Sequence, residues 1–167
     1  MRGTAVHCNP VFVSYLVIEH EKTTLFVDND KLTSEVSAYL AMLSIKVLPY
    51  NEVGKYLKRD YFAYNILLDP NETNSYLVAC AKEGRAAVVL TTSPIPEMKA
   101  VKNETEIQGF HNAMKRDGVA MVKFLKWLIP AVKAGHETEI SLDKKLTYLR
   151  SQQPLFRDSS FDTIVGY

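Results

Sequence analysis

The sequence predicts an α/β fold to about residue 92, followed by a piece built from two helices. Three observations carry this. Short apolar runs alternate with helically spaced apolar residues in the first half, the pattern of strands interleaved with helices. Pro94 and Pro96 then interrupt the pattern. Beyond them a single apolar stripe runs for about eight turns at 3.6 residues each.

Taken in order, Val11 to Ile18 is almost wholly apolar or β-branched and reads as a strand buried on both faces. Thr23 to Val27 reads as its hairpin partner across the polar turn Glu19-His20-Glu21-Lys22. Thr33 can cap a helix carrying Val36, Tyr39, Leu40 and Leu43 at helical spacing. Ile45 to Leu48 is a short strand stopped by Pro49. Asn51 can cap a second helix with Val53, Tyr56 and Leu57 facing inward. Asn65 to Leu68 is a buried strand ended by Asp69-Pro70-Asn71, residues 73–81 a short helix, and Ala86 to Leu90 a last strand. The sum is an α/β sandwich with a mixed sheet.

Two prolines in Thr91-Thr92-Ser93-Pro94-Ile95-Pro96 argue against both helix and central strand, so residues 93–102 read as a linker. Asn103 with Glu106 is a variant capping box. It opens a helix whose stripe is Ile107, Phe110, Met114, Gly118, Met121, Leu125, Leu128 and Val132. Pro130 predicts a kink or stop and Gly135 a terminus. Thr138 caps a second helix to about Gln153, with Ile140, Leu146 and Leu149 inward, and Asp162 to Tyr167 reads as the start of a strand. A helix pair with one strand cannot bury that stripe by itself, which predicts partly exposed Phe110, Met114, Met121 and Leu125.

With 20 basic and 19 acidic residues the chain has a formal charge of +1. That balance supplies no global attraction to nucleic acid or anionic lipid, and neither is an expected partner. No stretch approaches the ~20 apolar residues of a membrane span, and no apolar signal region opens the chain, so a cytoplasmic protein is expected. Two cysteines, Cys8 and Cys80, are too few for a disulfide scaffold and read as buried free thiols.

The residues themselves offer no active site. His7, His20, His111 and His136 lack local ligand spacing. His7 and Cys8 raise a nucleophile–base or metal idea, but neighbours in a strand point to opposite faces and would not share a site. Asp28-Asn29-Asp30 lacks the glycine and distal Glu of a calcium loop and reads as a turn. No Gly-x-Gly-x-x-Gly is present, and Ser93 and Ser141 have no supporting constellation. Catalytic, cofactor-binding and metal-ligating residues are all expected to be absent.

Arg2-Gly3-Thr4 followed by Asn9-Pro10-Val11-Phe12-Val13-Ser14-Tyr15 resembles a segment of the Xaa-Pro aminopeptidase (aminopeptidase P) family. There Asn-Leu-Arg-Gly precedes an Asn-Pro-Val-Phe strand; Met1 stands here where that motif has Leu. Pro94-Ile95, Lys99-Ala100-Val101-Lys102-Asn103 and Glu106-Ile107-Gly109 resemble the same family's passage into its catalytic domain. Thr138-Glu139-Ile140 and Phe161-Asp162-Thr163-Ile164 continue the order.

The resemblance implies a creatinase N-like mixed α/β domain over 1–92, a linker over 93–102, and the first helices and strand of a pita-bread catalytic domain over 103–167. It implies a parent metallopeptidase, a homodimer, that removes the N-terminal residue of peptides with proline second. Two divalent ions, usually manganese, would activate a bridging hydroxide, held by two Asp, one His and two Glu. No position of this chain matches those ligands, so both ends are expected to be cuts and the chain alone inactive. Two alternatives remain at this point: a non-enzymatic aminopeptidase-like module that binds peptides or histones, and a free-standing interaction domain that dimerises through its helical stripe.

Overall fold

A computed structural model describes Gly3 and residues 5–166. Arg2 and Thr4 of the first motif, and Tyr167 at the end of the expected strand, lie outside these residues. The chain divides into two units. One comprises Pro10–Lys99 with the described residues up to Val6, and the other His7–Asn9 with residues 100–166.

In the first unit, β1 (Ser14–Ile18), β2 (Thr23–Val27) and β3 (Ile45–Pro49) form a sheet in that order. β1 is antiparallel to β2, with Tyr15 opposite Phe26, and β3 is parallel to it, with Val47 opposite Leu25. The turn between β1 and β2 closes through two backbone bonds between Glu19 and Lys22. β4 (Asn65–Leu68) and β5 (Ala87–Leu90) form a separate parallel pair, so the expected single mixed sheet is in fact two sheets.

β2 is the buried strand. Leu25 and Val27 on one face pack with Leu40 of α1 (Ser34–Met42). Phe26 on the other packs with Val53, Tyr56 and Leu57 of α2 (Val53–Leu57) and Leu77 and Cys80 of α3 (Ser75–Glu83). A strand covered on both faces by helices reads as a continuous apolar run, which Thr-Thr-Leu-Phe-Val nearly is. β1 was expected to be doubly buried and is not. It starts three residues late, lies at the sheet edge, and leaves Leu16 and Ile18 49% and 63% exposed. Composition alone does not separate edge from centre, because the deciding partner, β3, lies some 30 residues downstream.

Local signals set most helix ends. Thr33 accepts from the Val36 N–H at 3.3 Å and starts α1. Asn74 does the same for α3 from Leu77, two residues later than expected. Asn51 does not cap α2: it sits inside a short 3₁₀ turn, Tyr50–Glu52, which leads into the helix. Pro96 does not prevent helix either. α4 spans Ile95–Ala100 within the expected linker, and its proline occupies the first turn, where the missing N–H has no intrahelical acceptor to lose.

In the second unit, α5 (Glu104–Ala134) opens on the full Asn103–Glu106 capping box and ends at Gly135, whose φ of 76° is left-handed. Pro130 does not stop it; the helix runs one further turn past the missing donor. α6 (Glu139–Ser151) opens on Thr138 and Ser141. The two helices bury Ala120, Phe124 and Leu146. Asp117 receives both Nε and Nη2 of Arg150, at 2.7 and 3.4 Å.

The face that packs is thus turned from the stripe read off the sequence. Phe110, Met114 and Leu125 are exposed and Met121 half-buried, as the missing-partner argument expected, while Ile140 points outward rather than inward. Residues 162–166 are not a strand: no strand exists among the described residues of this unit, and an isolated extended segment has no ladder to join. Among the described residues no helix is long and apolar enough to cross a membrane.

Candidate functional site

An open cleft lies in each unit. In the helical unit a cleft of about 440 Å³ is lined by His7, Cys8, Asp143, Asp158, Phe161 and Asp162, among others. His7 and Cys8 lie in a turn, and Cys8 takes a left-handed φ of 56°. The strand alternation that would have sent the two side chains apart therefore does not apply. His7 Nε2 stands 3.4 Å from Asp162 Oδ1, and one donor atom each from His7, Cys8 and Asp162 lies within 4.8 Å of the other two. Cys8 is half-buried, not sealed; partial burial first, then the Asp162 and Asp158 carboxylates, push its thiol up.

In the α/β unit a cleft of about 500 Å³ opens at the carboxyl ends of β2 and β3, between Asp28, Asn29, Asp30, Pro49 and Tyr50. Asp28 Oδ1 accepts from the Asp30 N–H at 3.4 Å, the local turn expected for this acidic pair. Tyr50 stacks on Tyr15 with centroids 5.2 Å apart, and hydrogen bonding with Tyr15 raises its phenol.

A third cluster joins the β1–β2 turn to α2 and the segment after it. The Tyr56 hydroxyl donates to Glu19 and lies 3.3 Å from Thr24 Oγ1. Arg59 lies over the Tyr56 ring at 3.4 Å and donates to the Tyr61 hydroxyl at 2.7 Å. Burial raises the Tyr61 phenol, with Arg59 opposing. The cluster lines neither cleft. Its members satisfy one another, which makes it a clasp.

Of the other histidines, His20 bonds Glu21 in the exposed turn, and His111 and His136 are exposed. The two-metal hydrolytic centre implied by the resemblance does not fit the residues present. Among the described residues, His7, Cys8 and Asp162 are the only three or more ligating side chains that converge. They offer a single carboxylate, whereas a bridged ion pair needs several.

The architecture is that of an α/β unit and a helical unit in one chain. A profile of the creatinase/prolidase N-terminal domain matches residues 1–106. The chain belongs to this family. It is 41% identical over 98% of its length to Xaa-Pro aminopeptidase 1 of Dictyostelium discoideum and covers 26% of that protein. An X-prolyl aminopeptidase from Caenorhabditis elegans, described as a cytosolic enzyme with a di-nuclear active site, superposes with a TM-score of 0.87. That match is 32% identical and covers 98% of this chain and 27% of that one. A Xaa-Pro dipeptidase from Bacillus anthracis, at 14% identity and a TM-score of 0.62 over 84% of this chain and 39% of its own, shares the fold. The chain thus spans about a quarter of the length of the curated relatives it matches. Its fold is a creatinase-type α/β domain leading into the first helices of a pita-bread domain.

Proposed function

We propose that this chain is part of a metal-dependent Xaa-Pro aminopeptidase, an enzyme that removes the N-terminal residue preceding proline. The observation that carries the reading is the match at 41% identity across 98% of the chain to a protein of that name. Residues 1–92 would be the creatinase N-like domain, 93–102 the connection and 103–167 the start of the catalytic domain. The α/β part would flank the mouth of the active site and keep long folded substrates out, and α5 with α6 would lie on the outer face of the catalytic sheet.

The parent would use two divalent ions, manganese foremost, to hold and activate the attacking hydroxide and to stabilise the oxyanion. A di-nuclear site in the C. elegans relative supports two ions. That relative's cytosolic setting supports a cytoplasmic parent, and homodimeric assembly follows from the family resemblance. The donor set for such a centre has no matching positions in these 167 residues, so the chain alone is inactive.

The test is release of the N-terminal residue from an Xaa-Pro peptide by this chain with manganese added. No turnover is expected. Metal-dependent turnover, abolished by a chelator, would place a catalytic centre inside these residues and overturn the reading. Joining the chain to the remaining three quarters of a relative should restore activity.

A further inference from the structure

We propose that His7, Cys8 and Asp162 form a site for one borderline-soft divalent cation of the zinc class. The site would clip the turn at residues 7–9 to the segment around Asp162 within the helical unit. Three different ligand types converge here from segments 155 residues apart in sequence. Imidazole, thiolate and carboxylate together suit zinc, whereas magnesium and calcium take oxygen ligands.

The dimensions suit the same ion. Zinc bonds of about 2.0–2.3 Å in a tetrahedron place ligand atoms roughly 3.5 Å apart. The His7–Asp162 separation of 3.4 Å already meets that, and no donor stands more than 4.8 Å from another. Side-chain rotation at the cleft mouth closes the rest, since His7 and Asp162 are exposed. Asp158 and Asp143 line the same cleft and could orient the ligands or supply a fourth.

Metal binding here is coupled to loss of one proton. The Cys8 thiol gives its proton to solvent and the sulfur bonds the metal. Binding of this kind stabilises the folded unit, because the site does not exist in the unfolded chain. The inference does not depend on peptidase activity.

The experiment is a titration of the whole chain with cobalt(II) as a spectroscopic substitute for zinc, with no substrate present. One ion per chain and a thiolate-to-cobalt charge-transfer band, displaced by zinc, are expected. Cys8→Ser should abolish the band, and His7→Ala and Asp162→Asn should each weaken binding by at least about tenfold. Cys80→Ser should keep it, because Cys80 is sealed in the other unit's core. Alkylation gives a readout independent of any variant's folding: zinc should slow iodoacetamide labelling of Cys8, located by peptide mapping, by about tenfold or more. Absence of the band, its persistence in Cys8→Ser, or Cys8 labelling at the same rate with and without zinc would overturn the site.

Discussion

Phe26 and Phe124 are both buried aromatic side chains, but their surroundings differ. Phe26 lies on a central strand and is closed in by residues from α2 and α3, with Tyr15, Val17, Leu48, Tyr61 and Ile66 packed around the cluster. Among the described residues of the helical unit, Phe124 is buried with Ala120 and Leu146 alone, at the seam of two helices. A sheet layered between helices encloses side chains from several directions, whereas a lone helix pair encloses one stripe and leaves another bare. The α/β unit therefore encloses Phe26 from several sides, while the helical unit presents an apolar face of Phe110, Met114, Val122, Leu125 and Ile129.

The largest expected effect tests that contrast directly. Phe26→Ala should destabilise the α/β unit by about 4 kcal/mol, and Phe124→Ala the helical unit by about 3 kcal/mol or less. The chain carries its own reporters, since the single tryptophan, Trp127, lies in α5 and most of the nine tyrosines lie in the α/β unit. Urea unfolding followed by both signals reads the two units separately. A larger cost at Phe124 would break the comparison.

A smaller effect sharpens it through pH. Asp69 accepts from the N–H groups of Ser93 and Asn71 at 2.7 and 2.9 Å, which holds its carboxyl below the ordinary value of 3.8. A lowered folded-state value favours the charged form, so the stabilisation is present above about pH 4 and lost as pH falls through the folded value. Asp60 is lowered as well, by the Phe62 N–H and Arg85. Asp69→Asn should therefore flatten the acid loss of stability in the tyrosine signal without removing it, and leave the tryptophan transition unchanged. An identical acid profile for the variant would show that Asp69 carries no such linkage.

The smallest effect on stability is expected at the bare face. Phe110→Lys with Leu125→Lys should change unfolding free energy by only about 0.5 kcal/mol. The parent chain should self-associate at high concentration through that face, and the double variant should not. A parent chain that elutes as a sharp monomer at every concentration would sink this.

The same contrast marks what was legible in the sequence. Thr33, Asn103, Thr138 and Gly135 act on backbone groups within four residues, so their caps could be read from local spacing alone. The β1–β2 hairpin was readable for the same reason. Edge and central strands were not, because β1 and β2 have similar composition and a distant third strand decides. Nor was the buried face of α5: its sequence carries apolar residues around much of the circumference, and α6 selects Ala120 and Phe124 from among them. The approach of His7 and Cys8 was hidden by an assumed strand; only the left-handed backbone at Cys8, which no local rule predicts for cysteine, brings both to one side.

Gly84, at the end of α3, has a consequence of a different kind. A Cβ built there would stand 2.3 Å from the Leu57 carbonyl oxygen and 2.5 Å from that of Arg59, while its own carbonyl accepts the Tyr61 N–H at 2.7 Å. Two chain segments cross at this point with no room for even one methyl group. A saturation-mutagenesis scan of the folding of this unit would rank position 84 among the most intolerant. What it would be recording is clearance between backbones, since Gly84 has no side chain with which to meet a substrate.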